Sequence, residues 1–190
     1  MRSMQCPYCQ SPLRPDAAEC GACRMTFPRT SALLGAMPRF SQGVADNTRS
    51  MSPGEIGKLR KRVGEIQSRF PQLVLQIVMH VFPEEYPFAM YAFWVFNAGN
   101  FAGDSHRGKE NYALMIVIDP ERCEAAITPG YGLEPFLKTA TLDHLLELAG
   151  PAWQEKRWAD GLMRLLEDLE PLLESIAIPD DPYAARMGEF

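Results

Sequence analysis

Four cysteines near the start of the chain carry the clearest chemistry in the sequence. Cys6, Cys9, Cys20 and Cys23 form the pattern C-x2-C, ten residues, C-x2-C. Two residues between cysteines let one turn present both thiolates to a single metal ion. Ten intervening residues suffice for a short hairpin that brings the second pair opposite the first. Four thiolates fill a tetrahedral sphere and leave no position for water, so the expected ion is a structural Zn2+ and not a catalytic one. Two disulfides or a thioredoxin-like redox pair are the alternatives. Disulfides are not expected without export, and a redox pair is expected beside a βαβ unit, not in a short leader. Cys123 stands apart and reads as a small core residue on a strand.

The three histidines form no constellation. His80 falls in an apolar run and reads as a satisfied core residue, His106 lies in a polar loop, and His144 sits in the first turn of a helix. No Walker loop, Gly-x-Gly-x-x-Gly or nucleophile–base spacing occurs. Trp94, Trp153 and Trp158 read as core.

The elements that must position these residues are legible from residue 52 onward. Ser52-Pro53-Gly54-Glu55 combines an N-cap serine, proline at the first helical position and a glutamate three residues on, which is a capping box. Ile56, Leu59, Val63 and Ile66 then mark one apolar stripe of a helix ending near Arg69. Residues 73–82 are a near-continuous β-rich run, as expected of a strand covered on both faces. A buried helix over 85–97, a polar loop over 98–111 and a second buried strand over 113–118 follow. A tight turn at Asp119-Pro120-Glu121-Arg122 leads to a third strand over 123–128. The helical crossover makes strands one and two parallel, and the tight turn makes two and three antiparallel. Thr141 is expected to cap a helix carrying Leu142, Leu145, Leu146 and Leu148. A last helix from about Gln154 should be bent or broken at Pro171. The domain reading is a zinc ribbon over 1–28, a linker over 29–52, an α/β domain over 53–178 and a C-terminal tail over 179–190.

Composition bounds the partners. The net charge is -5, and six arginines against three carboxylates give residues 1–50 a charge of +3, leaving -8 for the remainder. An acidic body disfavours phosphate-backbone binding, so nucleic acid is not the expected partner. No secretory leader and no run of 18 apolar residues appears, so no membrane span is expected and the expected location is cytoplasmic.

Two resemblances add to this. Cys6-Pro7-Tyr8-Cys9 and Cys20-Gly21-Ala22-Cys23 resemble the knuckles of short N-terminal zinc ribbons found in many bacterial proteins. Residues 91–137 resemble the TPM domain, a bacterial and chloroplast α/β family. The matching positions are Tyr91-Ala92, Gly99, Asn111, Leu114 to Ile118, Arg122 and Gly130-Tyr131-Gly132-Leu133-Glu134; Trp158-Ala159-Asp160-Gly161-Leu162 resembles the family's closing helix. The resemblance implies an α/β/α sandwich with a mixed β-sheet. It also implies one of three activities known in the family: weak acid phosphatase, divalent-cation binding in loops at one sheet end, or membrane-protein assembly.

The oxygen donors that could converge on a hard cation, Ca2+ or Mg2+, are Asp104, Glu110, Asn111 and Glu134. The plainer reading makes Asp104 and Glu110 solvated loop charges and Asn111 a cap. Arg122 is expected to form a surface ion pair and not a phosphate contact. The chain departs from the family pattern at Asn111-Tyr112 and at Leu137-Lys138-Thr139, and the acidic residue often found after the family's first strand is not evident among His80, Val81 and Phe82. The leading expectation is therefore a binding or assembly module that meets a protein partner through its zinc ribbon. A weak metal-assisted phosphatase and a nucleic-acid-associated protein are the alternatives.

Overall fold

The computed structural model describes residues 4–14, 17–99 and 112–176. The chain opens with two short antiparallel strands, β1 (Met4–Gln5) and β2 (Pro12–Leu13), and a helix, α1 (Phe27–Leu34). A three-residue strand, β3 (Val44–Asp46), precedes the long helix α2 (Pro53–Arg69). Next come β4 (Val74–Met79), α3 (Phe88–Ala98), β5 (Ala113–Asp119) and β6 (Glu124–Pro129). Two helices, α4 (Thr139–Gln154) and α5 (Trp158–Ser175), close the described chain.

The main sheet has the order β3-β4-β5-β6. β3, β4 and β5 are parallel, and β6 is antiparallel to β5. The mixed sheet and its strand directions match expectation. Alternation along the strands then divides the core, because successive side chains point to opposite faces. Leu75, Ile77 and Met79 of β4 and Leu114, Ile116 and Ile118 of β5 face α2, α4 and α5. Val78, Met115 and Val117 face α3. The result is an α/β/α sandwich.

The capping box at α2 is complete: Glu55 N donates to Ser52 Oγ, and Glu55 Oε2 accepts from Ser52 N at 2.7 Å. Arg62 and Arg69 of α2 reach Glu170 of α5 at 2.5 and 3.2 Å, joining the two helices outside their apolar contact.

Four local expectations give way. Residues 29–52, read as a linker, carry most of α1 and the edge strand β3, whose N-terminal approach is held by a buried side chain. Gln76 accepts from Gly43 N at 2.7 Å and donates to Ser41 O at 2.9 Å. α4 starts at Thr139 behind Lys138, so Thr141 lies in its first turn and does not cap it. Of the bend or break expected at Pro171, the break does not occur, since α5 runs on to Ser175. Cys123 is exposed in the turn before β6, with φ at 54°. The proposed tail at 179–190 lies outside the described residues.

Candidate metal centre

The cysteine motif folds into two equivalent knuckles. Cys6 N donates to Ser11 O and Gln10 N donates to Cys6 O, both at 2.9 Å. Fourteen residues later the pattern repeats: Cys20 N donates to Met25 O at 2.9 Å, and Arg24 N to Cys20 O at 2.8 Å. Gln10 and Arg24, each the residue after the second cysteine of its pair, have φ of 61° and 62°. This left-handed step closes each turn and leaves both sulfurs of a pair on its inner side. Non-glycine residues accept it only where the surrounding bonds enforce it.

The four Sγ atoms lie within 4.8 Å of one another. Cys6 and Cys23 are 3.7 Å apart, as are Cys9 and Cys20. Sulfurs bound at about 2.3 Å to a tetrahedral ion stand about 3.8 Å apart, so the cluster has the dimensions of a four-thiolate metal site. Cys6 and Cys20 are buried, while Cys9 and Cys23 are half-buried. Hydrogen bonds from Ser11 lower the Cys9 thiol to about 6, whereas burial raises Cys23 to about 12 and raises Cys6 as well. A cation among the four sulfurs favours the thiolate, which is the ligand form of each cysteine. The donor set therefore fits a metal ion.

The cysteine module is not held at arm's length. Cys6, Cys20 and Met25 form a small core with Met90 of α3, and Leu13, Leu34 and Tyr86 pack against it. Met90 has no exposed surface. Tyr8 meets Tyr86 with ring centroids 6.5 Å apart, and Phe27 meets Phe93 edge-on at 6.1 Å. α3 is thereby apolar nearly all round, because the sheet covers one side and the cysteine module and α1 cover the other. A cleft of about 800 Å³ opens at this junction, with Gln10 on one wall and Glu84, Glu85, Glu121, Arg122 and Glu124 on the others.

Of the second candidate group, only Glu134 falls among the described residues. Asp104, Glu110 and Asn111 lie outside the described residues. Glu134 is partly buried in the turn after β6, its amide donating to Gly130 O at 3.1 Å, and Gly130 N donates to Ala113 O at 2.7 Å. That turn sits at the edge where β5 begins. The expectation placed the site at loops following the strands. The edge that α/β folds favour for ligands is the opposite one, beyond the carboxyl ends of the parallel strands.

At the carboxyl-end edge the structure places two carboxylates that sequence reading passed over. Asp119, fully buried at the end of β5, accepts from Phe82 N at 2.8 Å, Glu121 N at 3.0 Å and Arg122 N at 3.1 Å. Asp46, at the end of β3, accepts from Thr48 N and Thr48 Oγ1 and from Met51 N. Both are engaged in holding loops. The signal for Asp119 was its position in Asp-Pro-Glu-Arg directly after an apolar strand, since aspartate caps the turn it opens. Arg122 does pair with Glu124, at 3.6 Å, but its side chain is only 12% exposed. It donates to Tyr86 O at 2.9 Å and stacks 5.8 Å above the Tyr91 ring, so it ties the loop after β4 to the turn after β5. His80 lies just past β4 between Phe40 and Phe82, where burial holds its imidazole below the usual value. No helix among the described residues is long and apolar enough to cross a membrane.

Comparison with known proteins bears on the larger unit. The family model described as "TPM domain" matches residues 44–171. The solution structure of an N-terminal domain of a protein from P. gingivalis superposes with a TM-score of 0.57 at 16% identity, covering 73% of this chain and 94% of that one. The N-terminal domain of the cg2496 protein from Corynebacterium glutamicum gives 0.50 at 19% identity, covering 78% and 90%. At these identities the likeness shows the fold. No curated protein matches the chain.

Proposed function

Since the chain belongs to the TPM domain family, we propose that it is a binding or assembly module that carries a structural zinc ion in its cysteine module and meets a protein partner through that module. The observation that carries the metal half is the set of four sulfurs within 4.8 Å, with two opposed pairs at 3.7 Å. Zinc is the reading for this donor set because four thiolates are soft ligands in a closed tetrahedron. Such a site has no open position for water or substrate, so its contribution is to the fold. Thiols kept as ligands belong in a reducing compartment, which supports a cytoplasmic location.

Binding is favoured over hydrolysis by what the two strand-end carboxylates at the favoured sheet edge already do. Asp119 spends its oxygens on three backbone amides, and Asp46 on two amides and a hydroxyl. Metal-assisted phosphoryl transfer needs carboxylates available to the ion and an activated nucleophile. The protein partner is supported by Tyr8, Phe27 and Leu33, which are 37–43% exposed on the cysteine module and α1. Exposed apolar side chains suit a protein surface better than nucleic acid.

Native mass spectrometry and a hydrolysis assay together test this reading. The purified chain should carry one zinc, lost in Cys20→Ser. Hydrolysis of an activated phosphate ester should stay at background with calcium or magnesium added. Clear turnover abolished by Glu134→Gln, with the melting temperature intact, would transfer the case to the weak phosphatase and to a cation held near Glu134.

A further inference from the structure

We infer that metal occupancy of the four cysteines sets the stability of the whole TPM domain, through the seating of Cys6 and Cys20 on Met90. This rests on the zinc reading above and goes beyond it, because a structural ion need stabilise only its own loop.

The cysteine module has little to hold it together besides a metal. Among its described residues the regular structure is two paired two-residue strands and one eight-residue helix. Segments of this size rarely bury enough apolar surface to fold unaided, and metal-binding free energy then becomes folding free energy. The residues that this module covers belong to the domain. Met90 is fully buried, and its cluster consists of Cys6, Cys20 and Met25, with Leu13, Leu34 and Tyr86 at the margin. α3 has its remaining side occupied by the sheet through Val78, Met115 and Val117. If the knuckles open, the outer side of α3 loses its cover while the inner side stays apolar. The helix has no side-chain cap at its N-terminus to offset that loss.

The connection is also covalent and short. α1 ends at Leu34, and ten residues later β3 enters the sheet beside β4, with Gln76 fixing the approach. Disorder in the module therefore reaches the edge of the sheet. Gln10, whose φ of 61° is closed by its bond to Cys6 O, forms one wall of the cleft at the junction. The shape of that cleft accordingly follows the metal state.

Thermal unfolding of the full chain at a series of buffered free-zinc concentrations reads this coupling. Trp94, Trp153 and Trp158 all lie in the TPM domain, so tryptophan fluorescence follows the domain and not the cysteine module. Occupancy is followed separately by the thiolate absorption of added cobalt. A ligand that binds only the folded chain raises the melting temperature with the logarithm of its concentration. The expected rise is about 3 °C for each tenfold increase in free zinc above half-saturation, as a single transition. Cys20→Ser should melt at the low, zinc-free temperature throughout. One metal per chain with a flat domain melting temperature would overturn the coupling and leave the zinc site standing. No metal uptake at all would overturn both.

Discussion

Trp153 of α4 lies directly over Gly161 of α5, so closely that a Cβ at residue 161 would stand 2.3 Å from the indole Nε1. The same indole nitrogen donates to Trp158 O at 3.2 Å, which pins the ring in place. In an ordinary helix interior Gly→Ala stabilises by about 1 kcal/mol. Here the methyl group meets a side chain that cannot retreat without losing its hydrogen bond, and overpacking of this kind costs about 1–3 kcal/mol. Gly161→Ala should therefore lower stability, measured as a reduced midpoint in urea. An increase would show that α4 and α5 are not packed as described.

Glu170 makes the domain sensitive to acid. Hydrogen bonds from Arg62 hold its carboxyl below the ordinary value of 4.5, with Arg69 adding to the effect. A carboxyl whose folded pKa is depressed stabilises the fold fully above its unfolded value and loses that contribution as pH falls through the folded one. Wild type should exceed Glu170→Gln by about 1 kcal/mol at pH 7, as expected for a partly exposed network. The gap should close below pH 4.5. A gap that stays constant with pH would assign the difference to packing and not to charge.

Asp119 should matter for stability. Its carboxylate satisfies three buried or half-buried amides across two loops. Asp119→Ala leaves them without that acceptor, at a cost of about 1–3 kcal/mol for each one that water cannot reach. Chemical denaturation should show a loss of at least about 2 kcal/mol. A neutral outcome would mean that the turn after β5 holds itself.

Much of the domain was legible because its signals are local. Ser52 to Glu55 encode a helix start within four residues, and the short, β-branched apolar runs of β4 and β5 suit strands covered on both sides. The cysteine spacing likewise encloses its own geometry. What stayed hidden depends on distant partners. β3 offers only Val44 and Ala45 as apolar residues, and it is a strand because Gln76 and the β4 ladder make it one. Leu13 lies in β2, Met25 in the loop before α1 and Leu34 at the end of α1, so no periodicity announces that they converge on Met90. Cys123 reads as the start of a strand, yet the turn closed by Asp119 forces it to positive φ and into solvent. Glu134 was matched to a motif, but the direction of β6 decides which sheet edge it occupies.

Zinc K-edge absorption on the purified full-length chain tests the central claim most directly, because it reads the ion and its ligands together. Four sulfur neighbours at about 2.3 Å, with no nitrogen or oxygen in the coordination sphere, are the predicted result. Zinc absent from the chain, or bound by nitrogen and oxygen ligands with fewer than four sulfurs, would contradict a closed site built from Cys6, Cys9, Cys20 and Cys23.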